Sequence, residues 1–210
     1  MSFLEYRVKT APTGIAKVFY IHWALILVVT AVAAIGWLML YSIAGGRIEV
    51  WAEPQMKRYA MGLVLMLAVA FAPIWFWRSM SGLAYGVTMV LLLIVEFFGT
   101  VGMGAQRWID LGFMRLQPSE LMKVTLVMAL AMYYDWLDDR KVSRPLWVLI
   151  PLVLIVAPTI LVLMQPNLGT SVMLIIAGGA VMFAAGVSLW YFGAVIALVV
   201  NYIKRGEEVD

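Results

Sequence analysis

Gly104-Ala-Gln-Arg-Trp-Ile-Asp-Leu-Gly112, followed shortly by Leu116-Gln-Pro-Ser-Glu-Leu-Met-Lys123, is a polar, glycine-punctuated loop that feeds an apolar helix carrying Glu120 and Lys123. Long runs rich in Leu, Val, Ile, Ala and Met lie on both sides of it. Charge set among such runs is costly to keep in lipid, so ionisable residues here are functional candidates by default.

Working outward, composition sets the class. Hydrophobic residues make up 64% of the 210 and charged ones only 13%, against about 25% charged in an average soluble domain. No polar block is long enough for a separate soluble domain, which makes this a polytopic membrane protein. The chain has no cysteine, so disulfide and thiolate chemistry are excluded. His22 is the single histidine and cannot build a metal site alone; beside Trp23 it suits an interfacial anchor. A net charge of +3, scattered along the chain, gives no basis for nucleic acid as a partner.

A span needs roughly 20 apolar residues. Six segments qualify or come close: His22–Ile43, Tyr59–Trp77, Leu83–Gly102, Pro118–Tyr134, Leu146–Met164 and Thr170–Val187. A shorter seventh, Leu189–Ile203, runs into a charged tail. Backbone polar groups find no water in lipid, so the expected fold class is an all-α polytopic bundle forming a single transmembrane domain. Basic residues divide evenly between the two sides and do not fix orientation. The usual dominance of the first span, and the basic loop holding Arg140, Lys141 and Arg144, favour a cytoplasmic N-terminus.

Glu120 and Lys123 are three residues apart and share a helix face. Pro118 suits the first helical position, which puts Glu120 in the first turn, where the dipole favours an anion. A self-neutralising pair that only aids packing is one reading. The approach loop, with Arg107, Asp110, Arg115 and Gln117, favours another. Arg can grip a phosphate bidentately and Lys can supply a point charge. Glu96 lies inside the third span, as an intramembrane functional carboxylate or as a neutral one bonded to a neighbouring helix. Gln165-Pro-Asn-Leu-Gly-Thr-Ser171 must turn tightly, with Thr170 or Ser171 expected to cap the next helix. Pro151 and Pro158 favour kinks in the fifth span. Gly178 and Gly179 offer the sixth a small face for close packing.

Taken together and in this order, Gly104–Gly112, Gln117–Lys123 and Gln165–Ser171 resemble the SEDS family (shape, elongation, division and sporulation), its rod-shape-determining branch more than its division branch. The resemblance runs to about Val200. It implies a SEDS-type helical bundle of the bacterial plasma (inner) membrane with about seven of the family's roughly ten spans. The function implied is peptidoglycan glycosyl transfer, polymerising lipid II (an undecaprenyl-pyrophosphate-linked disaccharide peptide) during elongation and shape maintenance. The implied partners are a class B penicillin-binding protein and other elongation-complex proteins, besides membrane lipids. On matching positions Arg107, Gln117, Glu120 and Lys123 would line the substrate cavity, and Gln165, Pro166, Asn167 and Gly169 would form a signature turn.

The family commonly has Asp where this chain has Asn167, so no acid role carries over there. Its catalytic Asp lies in a large extracytoplasmic loop, beyond residue 210 by this alignment of motifs. No catalytic residue is therefore assigned within the chain, which reads as the N-terminal portion of a longer protein and is expected to be inactive by itself. No cofactor or metal site is identifiable, and a divalent cation stays open. Two other functions suit the same cavity: a lipid II flippase, or a non-catalytic scaffold of the elongation machinery.

Overall fold

The computed structural model describes residues 14–98, 100–102, 105–110, 115–195, 197 and 201. The chain divides into two compact units, Met1–Trp77 and Arg78–Asp210.

In the first unit a 3-10 helix, Gly14–Tyr20, precedes helix α1 (Trp23–Ile43) and helix α2 (Ala52–Phe71). No residue of α1 is buried. At 1.5 Å per residue its 21 residues extend about 31 Å, the thickness of a hydrocarbon core. A helix of that length and apolarity, with no buried face, has what a membrane crossing requires. Gly45 and Gly46, at φ 63° and 83°, turn the chain into α2 through a region that disfavours any side chain. Thr30 Oγ1 and Tyr59 Oη lie 2.6 Å apart between α1 and α2. Trp37 meets the Tyr59 ring edge-on at 5.3 Å. At the other end of this hairpin Lys17 Nζ donates to Ala70 O (3.1 Å) and Ala72 O (2.6 Å), closing the C-terminus of α2 with a cation.

Helix α3 (Ile74–Phe98) enters the second unit, followed by strands β1 (Thr100–Gly102), β2 (Ala105–Asp110) and β3 (Arg115–Leu116) in an antiparallel sheet ordered β1-β2-β3. Helices α4 (Pro118–Trp136), α5 (Pro145–Met164) and α6 (Leu168–Ala184) complete the bundle, and residues 189–195 are again helical. The core is a set of facing stripes at helical spacing. Leu92 and Val95 lie on α3, Met122, Leu126 and Leu130 on α4, Ile155 and Val162 on α5, and Leu174 and Met182 on α6. Leu149, Val153, Val156 and Ile160 stay exposed on the far side of α5, so this helix has a packed face and a lipid face. Helices α1, α3 and α5 are each long and apolar enough to cross a membrane, and α6 is a shorter apolar helix.

Both interior prolines of α5, Pro151 and Pro158, lie on its packed face, less than 2% exposed. Each removes the amide that would bond the carbonyl four residues back, Trp147 O and Leu154 O. Two phenols replace those amides. Tyr133 Oη of α4 donates to Trp147 O at 2.8 Å and Tyr85 Oη of α3 donates to Leu154 O at 2.9 Å. Neighbouring helices thus satisfy what the prolines leave open, as burial in lipid demands. At the same end as Tyr133, Arg78 pairs with Asp135. The Asp138–Arg144 loop is tied down there by Ser188 N to Ser143 Oγ (3.0 Å) and Tyr191 Oη to Ser143 O (2.9 Å).

The helices depart from the expected spans at particular places. Those expected at Tyr59–Trp77 and Leu83–Gly102 begin instead at Ala52 and Ile74. Hydropathy reports the lipid-immersed part of a helix, whereas backbone bonding carries α2 outward through Glu53, Lys57 and Arg58. Its end is set at Ala72, ahead of Pro73, which disfavours a helical residue before it. The third helix stops at Phe98 because the chain turns into β1. What was expected as a loop from Gly104 to Gly112 is largely strand β2. Helix α6 starts at Leu168, with Asn167 rather than Thr170 or Ser171 as its cap. Of the seventh segment, residues 196, 198–200 and 202–203 lie outside the described residues, as does the charged tail, 204–210.

Candidate functional site

The sheet delivers the chain to α4. Ile109 pairs with Leu116 and Asp110 with Arg115 across β2 and β3, and the Arg115 Nε to Asp110 Oδ2 distance is 3.7 Å. Gln117 follows in extended conformation (φ −108°, ψ 105°), as a residue before proline must. Pro118 occupies the first helical position, where its missing amide costs nothing. Gln117 O accepts the amide of Glu120 at 3.1 Å. Within this first turn Lys123 Nζ lies 2.8 Å from Glu120 Oε2, with side-chain exposures of 32% and 54%. The pair read from spacing exists, then, but sits at the rim rather than in the core.

Several buried residues of the two motifs are polar. Ser119 is 1% exposed, and its Oγ has no hydrogen-bond partner among the described residues. Gln165, 3% exposed, reaches from the cap of α5 to donate from Nε2 to Leu92 O at 3.3 Å. Thr170 and Ser171 are buried in the first turn of α6. Asn167 caps that helix, its side chain accepting from Thr170 N at 3.4 Å, while Ser171 Oγ donates to Asn167 O at 2.9 Å. Helices α4 and α6 both begin at this end, and α3 and α5 both finish here. The two punctuated motifs therefore contribute buried polar side chains to one end of a mostly apolar bundle.

Placement differs among the expected site residues. Glu120 and Lys123 are joined, with Gln117 half-buried just before them. Gln165 and Asn167 fix the turn, and Gly169, in the first turn of α6, has open space where a Cβ would stand. Glu96, half-buried, lies one helical turn past Leu92, the residue that Gln165 reaches. Arg107 is placed by its backbone on β2, and its side chain lies outside the described residues. Sequence reasoning missed Ser119; its position between Pro118 and Glu120 was visible, but its burial needed the neighbouring helices. It also missed a cleft of about 550 Å³ in the first unit, walled by Trp37, Met56, Tyr59 and Leu63 with the Glu53–Lys57 ion pair at its edge.

The exposure of the Glu120–Lys123 pair sets its worth. An i,i+3 pair open to solvent contributes about 0.3–1 kcal/mol, well short of the roughly 3–5 kcal/mol lost on breaking a fully buried pair. In a thermal-melt cycle in detergent, Glu120→Gln and Lys123→Met are therefore expected to couple by less than about 1 kcal/mol. A coupling of several kcal/mol would mean that the pair is enclosed in the folded protein.

A packed helical bundle with lipid-facing sides and one polar end defines a multi-pass integral membrane protein. The chain belongs to the FtsW/RodA/SpoVE family of cell cycle proteins, whose family profile matches residues 20–204. It is 35% identical over 181 residues to the peptidoglycan glycosyltransferase MrdB of Escherichia coli (strain K12), covering 85% of this chain and 48% of MrdB. FtsW of Allochromatium vinosum is 30% identical over 194 residues, covering 88% of this chain and 49% of that protein. Among solved structures, the rod shape determining protein RodA of Thermus thermophilus superposes with a TM-score of 0.71 at 28% identity, over 85% of this chain and 58% of RodA. A chain of a peptidoglycan synthase complex gives 0.73 at 27% identity, over 86% and 52%. The chain thus spans about half the length of the curated relatives it matches.

Proposed function

We propose that these residues belong to a peptidoglycan glycosyltransferase that polymerises lipid II into glycan strands during cell elongation and shape maintenance, and that they form its lipid-substrate region. The observation that carries this reading is one end of the second unit, where the Glu120–Lys123 pair lies at the rim and Gln165, Thr170, Ser171 and Ser119, whose Oγ has no hydrogen-bond partner among the described residues, are buried. A lipid-linked pyrophosphate has the matching chemistry. Its isoprenoid tail lies in the membrane and its anionic head needs cations and N–H donors at the boundary. Arg107 and Lys123 are the proposed phosphate partners. Glu120 holds Lys123 in place, and Gln117 supplies a neutral donor and acceptor beside them.

Glycosyl transfer also needs a base to take the proton of the acceptor sugar hydroxyl. None of the residues proposed here for the lipid-substrate region is assigned that role. The partners proposed are a class B penicillin-binding protein, which cross-links the product, and further elongation-complex proteins. The test is the full-length protein with lipid II in detergent, where no membrane sides exist. Glycan polymer is the expected product. Movement of labelled lipid II across vesicles without any polymer would replace the enzyme by a transporter.

The proposed location is the bacterial inner membrane with the N-terminus in the cytoplasm. The Gly45–Gly46 turn and the sheet then lie outside and the Asp138–Arg144 loop inside. Because the chain has no cysteine, single substitutions report sidedness cleanly. Arg47→Cys is expected to react with an impermeant maleimide in intact spheroplasts, and Arg140→Cys only after permeabilisation. The opposite pattern would invert the topology.

A further inference from the structure

Pro158 stands inside α5, six residues short of its end (158 to 164). The carbonyl it leaves without an amide, Leu154 O, accepts from Tyr85 Oη at 2.9 Å. Seven residues along α3 from Tyr85 (85 to 92), about two turns up the same face, Leu92 O accepts from Gln165 Nε2 at 3.3 Å. The last three turns of α5 are therefore fastened to one face of α3 at both ends, with the proline between the fastenings. Leu92 O is also the carbonyl that the Glu96 amide uses in a regular helix. The upper fastening thus joins the 165–171 turn to the helical turn that carries Glu96.

A proline inside a helix lets the segment beyond it take a range of bends. Which bend is adopted depends on what holds the freed carbonyl. In α5 the holder comes from another helix, so it sets a direction as well as satisfying a polar group. We propose that Tyr85 is a positioning residue for the 165–171 turn. Its hydroxyl stands in for the missing Pro158 amide and fixes the course of the end of α5, and thereby where Gln165 and Asn167 meet α3. The functional weight of this rests on reading that turn as part of the substrate region, but the geometry does not. A change in bend of about 20°, acting over the roughly 9 Å from Pro158 to Met164, would carry the turn by about 3 Å.

The test measures position and needs no activity. With no native cysteine, Phe97→Cys and Leu168→Cys, at sites 74% and 70% exposed, take spin labels at the end of α3 and the start of α6. Tyr85→Phe is expected to shift or broaden the interlabel distance by about 3 Å. Pro158→Ala restores the backbone amide, so adding Tyr85→Phe to it is expected to change neither the distance nor the melting temperature further. Tyr191→Phe deletes a phenol bond of the same length, 2.9 Å to Ser143 O, at the opposite end of the bundle, and should leave the distance unaltered. An unchanged distribution in Tyr85→Phe would overturn the proposal, leaving the hydroxyl a purely structural role. So would an equal effect of Tyr85→Phe with and without the Pro158→Ala substitution, or a matching shift in Tyr191→Phe.

Discussion

Arg107→Ala and Glu120→Ala, each placed in the full-length protein, are expected to lower lipid II polymerisation by about 100-fold or more while the protein stays in the membrane. The size follows from the chemistry of the contact. A hydrogen bond to a charged group is worth about 1.5–3 kcal/mol, each 1.36 kcal/mol is about tenfold in rate, and a guanidinium grips a phosphate with two such bonds. Glu120 acts through its neighbour. Its carboxylate lies 2.8 Å from the Lys123 ammonium, and without it the long lysine side chain is free to leave the position in which it meets an anion. Arg107→Lys keeps charge but not the fork, so it should retain part of the activity. Lys123→Ala should resemble Glu120→Ala. Polymer formed at the normal rate by both alanine variants would return these residues to a structural role, Arg107 on β2 and Glu120 at the start of α4. Loss of activity with loss of the protein from the membrane would point to folding, which the ion pair's exposure argues against.

How far this region can be read in sequence depends on the reach of each signal. The Glu120–Lys123 pair was legible because it is local: Pro118 starts the helix, and three residues' spacing does the rest. Helices α1 and α5 match their expected spans within a residue (22–43 against Trp23–Ile43, 146–164 against Pro145–Met164), since both are apolar from end to end. Helices α2 and α3 were placed late because helical hydrogen bonding continues beyond the lipid, where hydropathy is silent.

The small sheet was missed because Ala105–Asp110 is short and shows no clean alternation, and the glycines flanking it, Gly102, Gly104 and Gly112, argue for turns. The cap of α6 was misplaced for a different reason. Asn, Thr and Ser all suit a cap, and the choice fell to the residue immediately before Leu168, where the helix in fact begins. The buried state of Ser119 and Gln165, and the phenols opposite Pro151 and Pro158, depend on helices far away in the chain. No local pattern encodes them.

Gly178→Ala is expected to lower the melting temperature in detergent, against the ordinary sign of that substitution. In a helix interior alanine is favoured over glycine by about 1 kcal/mol. At Gly178, however, a Cβ would stand 2.5 Å from Ile155 Cγ1 and 2.6 Å from Ile155 Cδ1, closer than carbon atoms approach. Ile155 cannot easily yield. It is 5% exposed on the packed face of α5, and a β-branched side chain in a helix has essentially one rotamer. Overpacking of this kind costs about 1–3 kcal/mol, enough to outweigh the helical preference. Gly179, one residue on, supplies the control. Its Cβ would meet only Phe192 at 3.9 Å, an ordinary contact, so Gly179→Ala should be neutral or stabilising. Ile155→Ala removes the atoms that clash and leaves a cavity of its own, costing about 2–5 kcal/mol. In that background the new methyl at position 178 has room and fills part of the space, so Gly178→Ala should change from destabilising to stabilising. Additive effects of the two substitutions would show that α5 and α6 do not meet at Gly178.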